Sequence, residues 1–115
     1  VGFFLNVHEG PQAISKNNNI RIREGMILSN EPGFYKKDKF GIRIENLIYV
    51  KKYKRRKNFE NLTMAPIDKE LIDKKLLNTK EKNWLNKYHK KVFNSIKKFM
   101  IKNEIDDLKK ACSTI

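Results

Sequence analysis

The sequence predicts an α+β chain in which antiparallel strands come first and helices last. Two observations carry that expectation. Up to about residue 66, short apolar runs alternate with turn signals. After Pro66 the apolar residues instead recur at spacings of three and four, the period of a helix face. The expected division is therefore 1–66 for the strand-rich part and 67–115 for a helical tail, with no internal repeat.

Within the first part, Val1 to Val7 reads as a strand or strand-like segment closed by Glu9-Gly10-Pro11, and Ser15 to Asn19 as polar loop. Gly25 opens the run Met26 to Glu31, which stops at the strong turn signal Pro32-Gly33. Phe40 to Val50 alternates and is rich in isoleucine, a strand signature expected to pair antiparallel with residues 26–31. Phe59 to Met64 reads as a further strand, ended by Pro66. In the second part, Asp68 to Leu77 is expected as a short helix. A longer helix follows, with Thr79 as its cap and Glu81 in its first turn. Its stripe of Trp84, Leu85, Tyr88, Val92, Ile96, Phe99 and Met100 is expected to pack, within the chain or between the chains of a homodimer. His89 is expected near the polar face. A last amphipathic piece runs from about Glu104 to Ala111, with Ile105 and Leu108 on one side.

Composition narrows the function classes. The 115 residues suffice for one modest core. No apolar run approaches the ~20 residues of a membrane helix, so no membrane role is expected. Val-Gly-Phe-Phe-Leu reads as the interior of a longer chain rather than a start. The single cysteine, Cys112, excludes an internal disulfide and a cysteine-based zinc site, and fits a reducing compartment. The net charge of +13 invites a nucleic-acid reading. The charge is mostly lysine spread along the chain, however, and only Arg21, Arg23, Arg43, Arg55 and Arg56 are arginine, the residue favoured for phosphate forks. A nucleic-acid partner is therefore not expected, and Lys51 to Lys57 reads as a solvated connection between two strands.

Three polar residues stand out by position. His8 follows an apolar segment, Glu31 ends a strand at a Pro-Gly turn, and Glu45 lies inside an apolar strand where charge is unfavourable unless paired or coordinated. If residues 26–31 and 42–50 are neighbours, Glu31 and Glu45 meet on one face. Two converging carboxylates repel unless a cation lies between them, and hard oxygen ligands suit manganese, magnesium, calcium or zinc. The alternative from spacing alone is a pair of salt-bridged glutamates, Glu45 with Arg43 or a lysine, beside a turn histidine.

The motifs are more specific than the spacing. Val1-Gly-Phe-Phe-Leu-Asn-Val-His8-Glu9-Gly10-Pro11 resembles the segment of aminopeptidase P enzymes that follows their metal-binding histidine. Gly25-Met-Ile-Leu-Ser-Asn-Glu31-Pro-Gly-Phe-Tyr35 and Phe40-Gly-Ile-Arg43-Ile-Glu45-Asn46 resemble their two glutamate-ligand segments, in the same order. Phe59 to Ile67 and Thr79 to His89 look like the tail of the larger, eukaryotic cytosolic type. The resemblance implies the C-terminal part of a pita-bread α/β fold and two divalent metal ions, usually manganese. It implies Glu31 and Glu45 as metal ligands, and His8 as a non-ligand residue that contacts substrate and assists proton transfer. Arg43 is implied to order the ligands, with Tyr35 behind them. The implied reaction removes the first residue from short peptides with proline second, in the cytoplasm. The family's ligand histidine and both ligand aspartates lie upstream of Val1, so this chain is expected to hold two of five ligands and to be inactive alone. A non-catalytic pita-bread module that binds peptides or proteins is the rival reading.

Overall fold

The computed structural model describes residues 2–115; Val1, the first residue of the expected opening strand, lies outside the described residues. The chain divides into two units, Val1–Thr63 and Met64–Ile115.

The first unit is built on strands β1 (Ile27–Asn30), β2 (Gly33–Lys36), β3 (Phe40–Arg43), β4 (Asn46–Tyr53) and β5 (Arg56–Asn61). β1, β4 and β5 form an antiparallel sheet in that order, and β2 and β3 pair as a hairpin inserted between β1 and β4. The β1–β4 register matches Leu28 with Ile48 and Asn30 with Asn46. The same register resumes in the hairpin, where Gly33 faces Arg43. One long antiparallel ribbon is thus interrupted only at Glu31-Pro32 and Ile44-Glu45, where the Ile44 N–H still donates to the Pro32 carbonyl at 3.2 Å. The expected Phe40–Val50 strand is therefore two strands, because Pro32 has no N–H to offer its partner across the ribbon.

Alternation assigns the two faces of this ribbon. Leu28, Ile48 and Val50 are buried, with Ile22 and Met26 packed against them, and form the unit's core. Ser29, Glu31, Arg43 and Glu45 fall on the opposite face. The Lys51 to Lys57 run does join two strands, but as a tight hairpin: only Lys54 and Arg55 lie between β4 and β5, and Lys54 adopts φ +54°. β5 consequently starts earlier than Phe59 and stops at Asn61. Beyond it the Thr63 Oγ1 accepts the Leu47 N–H at 2.8 Å.

The opening segment is not a strand. The Glu9 carboxylate accepts the N–H groups of Phe4 (3.2 Å) and Asn6 (2.9 Å), and Leu5 turns at φ +65°. That local carboxylate captures the backbone groups a strand would use in a ladder. Phe3, Phe4 and Leu5 remain exposed.

In the second unit, helix α1 (Thr79–Ile96) passes through a short 3-10 turn, Lys97–Phe99, before helix α2 (Lys102–Ala111). Asn78, not Thr79, caps α1. Its side chain accepts the Glu81 N–H at 3.0 Å while the Glu81 carboxylate accepts the Asn78 N–H at 2.8 Å, a reciprocal capping box. Leu85, Tyr88, Val92 and Leu108 form the core, with Ile96 and Met100 packed against it. Trp84 and Phe99, expected in the same stripe, are 52% and 78% exposed; Trp84 stacks on Tyr88 with ring centroids 5.5 Å apart. Residues 68–77 form turns rather than a helix. The Asp68 and Asp73 carboxylates accept the N–H two residues ahead, at Glu70 and Lys75, and such Asx turns compete with helix. No helix among the described residues is long and apolar enough to cross a membrane.

Candidate metal-ligand and substrate site

The hairpin insertion is what assembles the site. Extended from Asn30–Asn46, the ladder register sets Glu31 opposite Glu45 on the face turned away from the core. Arg43 lies between them. Its NH1 donates to Glu31 Oε2 at 2.7 Å and lies 3.9 Å from Glu45 Oε2. The other Glu31 oxygen, Oε1, accepts the Ser29 hydroxyl at 2.7 Å and lies 3.6 Å from His8 Nε2. Hydrogen bonds from Ser29 and then Arg43, together with the charge of Arg43 and nearby His8, hold the Glu31 carboxyl below the usual glutamate range. Arg43 is raised in turn, first by its bond to Glu31.

Tyr35 belongs to the same face. It stands opposite Gly41, and its ring lies so close over Gly33 and Gly41 that a Cβ on either would fall within 3.0 Å of it. Both glycines are needed for the ring to lie flat along the hairpin towards Arg43. A cleft of about 410 Å³ opens between the loop carrying His8, Gly10 and Pro11 and the segment formed by β1 and Glu31 just after it. His8 and Glu31 thus face one cavity from two elements.

All five sequence-predicted residues fall in this first unit, and four of them form a chain of contacts, His8 to Glu31, Glu31 to Arg43 and Arg43 to Glu45. The ion-paired alternative is what is observed: Arg43 contacts both glutamates. Sequence reasoning missed Ser29. Its signal was available, since a hydroxyl two residues before Glu31 on a strand must share its face.

As metal donors the carboxylates fit in kind. Both are hard oxygen donors, and both contact Arg43. They are too few by themselves: among the described residues, no group of three or more His, Cys, Asp or Glu side chains could hold an ion.

Comparison with known proteins places this arrangement. Residues 1–52 match the model of metallopeptidase family M24, and residues 57–115 match the model of the C-terminal region of peptidase M24. The chain belongs to metallopeptidase family M24. Over 107 residues it is 47% identical to a probable Xaa-Pro aminopeptidase P of Laccaria bicolor, covering 84% of this chain and 17% of that protein. It is 42% identical over 116 residues to the corresponding protein of Botryotinia fuckeliana, covering 91% of this chain and 18% of that one. The crystal structure of the X-prolyl aminopeptidase from Caenorhabditis elegans, described as a cytosolic enzyme with a di-nuclear active site, matches with a TM-score of 0.87 at 38% identity. It covers all of this chain and 20% of that one. The M24 chain described here therefore carries the C-terminal part of the pita-bread fold, strands then helices. It spans less than a fifth of the length of these two relatives.

Proposed function

We propose that the complete protein containing these residues is a cytoplasmic, manganese-dependent Xaa-Pro aminopeptidase, and that this M24 chain supplies two of its metal ligands but cannot catalyse alone. The observation that carries the reading is the opposed Glu31–Glu45 pair fixed by Arg43 in a chain so similar to Xaa-Pro aminopeptidases. The di-nuclear site and cytosolic location of the Caenorhabditis elegans enzyme support two divalent ions and the compartment. Manganese is what the resemblance to aminopeptidase P enzymes implies, and carboxylate donors suit it as they suit magnesium or calcium.

Glu31 and Glu45 would hold the ions, and the remaining ligands would come from outside this chain. When bound, the ions supply a nucleophile from water at neutral pH and polarise the scissile carbonyl. The protein's residues do the rest. Arg43 sets the distance between the carboxylates and favours the charged form of Glu31. Glu31 accepts the proton that water loses on attack. His8, across the cleft from Glu31, steadies the scissile peptide unit and the charge that develops on its carbonyl oxygen. Tyr35 supports Arg43 from behind. Water adds across the bond between the first residue and proline, releasing a free amino acid and a peptide that begins with proline. The substrates are short peptides with proline second. That bond's nitrogen has no hydrogen and its geometry is restricted, which calls for a dedicated site. A homodimer is the assembly proposed.

The test is hydrolysis of a short peptide with proline in second position, comparing this chain with the full-length gene product under added manganese. Release of the first residue by the full-length protein only, abolished by Glu31→Ala or Glu45→Ala, is the expected outcome. A full-length protein that is folded and loaded with manganese yet inactive would instead be a peptide- or protein-binding module.

A further inference from the structure

We propose that Ser29 is a positioning residue for the metal ligand Glu31, setting through its hydroxyl the orientation in which that carboxylate meets a divalent ion. The inference rests on the metal-ligand reading above and extends it to a residue that reading does not use.

Four observations carry it. The Ser29 hydroxyl lies 2.7 Å from Glu31 Oε1. An ionised carboxylate only accepts, so the hydroxyl must be the donor. Next, the two Glu31 oxygens are held by different donors, Oε1 by Ser29 and Oε2 by Arg43. Two donors on two oxygens fix the carboxylate plane, which either alone would leave free to turn. Of the roughly four lone-pair directions a carboxylate offers, one on each oxygen stays available to a cation. Third, the hydroxyl stands on a paired strand. Ser29 is half-buried in β1, opposite Leu47 of β4 and next to core residue Leu28, which is 3% exposed. Last, Arg43 serves both Glu31 and Glu45, whereas the hydroxyl bonds Glu31 alone. Its loss therefore disturbs one ligand and leaves the other in place. It also leaves Oε1 to His8, whose Nε2 is already 3.6 Å away and is needed for substrate.

The experiment uses Ser29→Thr, Ser29→Val and Ser29→Ala in the full-length gene product, with manganese titrated calorimetrically into metal-free protein and the metal-free melting temperature recorded beside it. Threonine and valine have the same shape and both suit a strand, so their difference isolates the hydroxyl. Groups that orient metal ligands typically change affinity by about 10-fold or more when removed. The expected result is threonine close to wild type, with valine and alanine weakened about 10-fold in manganese affinity and activity recovering when manganese is raised. Wild-type affinity and stoichiometry in both valine and alanine variants overturns the proposal while leaving the metal-ligand reading intact. So does a lowered metal-free melting temperature with unchanged affinity, the mark of a purely structural hydroxyl. If the wild-type protein itself takes up no manganese, the metal-ligand reading fails and this inference falls with it.

Discussion

Glu31 receives one hydrogen bond on each carboxylate oxygen, and both stabilise its charged form. A carboxyl depressed in the folded state contributes stability at pH values above its unfolded titration, and that contribution is lost as pH falls through the lower, folded value. Arg43→Ala should move the Glu31 titration upwards towards an ordinary glutamate, read by carbon NMR of the side-chain carboxyl. Arg43→Lys should move it less, since the charge remains and the planar fork is lost. A second prediction concerns His89, which is fully buried. Its Nε2 accepts the Ile67 N–H at 3.1 Å, so the ring is neutral with its proton on Nδ1, which has no partner. Burial first, and then nearby Lys69, lowers its titration. Below the ordinary histidine range the unfolded chain takes a proton that the folded one refuses, so stability should fall as pH drops from 7 to 5. The fluorescence of Trp84, the only tryptophan, reports unfolding of this unit, and His89→Gln should flatten the dependence. His8, Glu31 and Glu45 were picked out by position, Glu45 as a charge inside an apolar run, and by the motifs around all three rather than by spacing alone. His89 was not legible: it sits between core residue Tyr88 and the lysines Lys90 and Lys91, and the Ile67 N–H that its ring accepts comes from 22 residues earlier.

Helix α1 shows how closely the ends of an element can be read. Asparagine and threonine both cap well, and the sequence places them side by side at 78 and 79. The capping box decides for Asn78, because Glu81 is then the third helical residue. Asn78→Ala should cost about 1 kcal/mol in urea unfolding followed by Trp84, while Thr79→Ala should cost much less. In the middle of the helix, Leu85→Ala should cost about 2–5 kcal/mol by loss of packing against Tyr88 and Leu108. The strands were readable where one face is buried, as at Leu28, Ile48 and Val50. In the inserted hairpin, whose Phe34, Tyr35, Phe40 and Ile42 are all exposed, β3 fell inside the expected Phe40–Val50 strand but β2 went unread. Apolar alternation ran from Phe40 into Val50 without marking the break at Ile44-Glu45. The Asp68 to Leu77 stretch misled in the opposite sense: its leucines suggest a helix, but its aspartates bind their own backbone.

For the whole molecule, the motifs in their order carried the family, and the change of apolar period near Pro66 carried the order of strands and helices. They could not supply what lies outside 115 residues. Two carboxylates bridged by an arginine should take up manganese weakly in the isolated chain, whereas two ions should bind to the full-length gene product, a difference that calorimetry reads directly. The second unit has a consequence of another kind. Tyr88 donates to the Ala65 carbonyl at 2.8 Å and His89 accepts from Ile67. Two successive side chains of one helix thereby hold the backbone on either side of Pro66, which has no hydrogen of its own to place. One extra residue between 65 and 67 would put both groups out of reach together. Lys69 and Ile72 are held as well, Lys69 Nζ by the carbonyls of Lys110 and Ser113 and Ile72 by the core, whereas residues 73–76 are exposed. Insertions and deletions among homologous chains should therefore collect in 73–76 and stop short at Pro66.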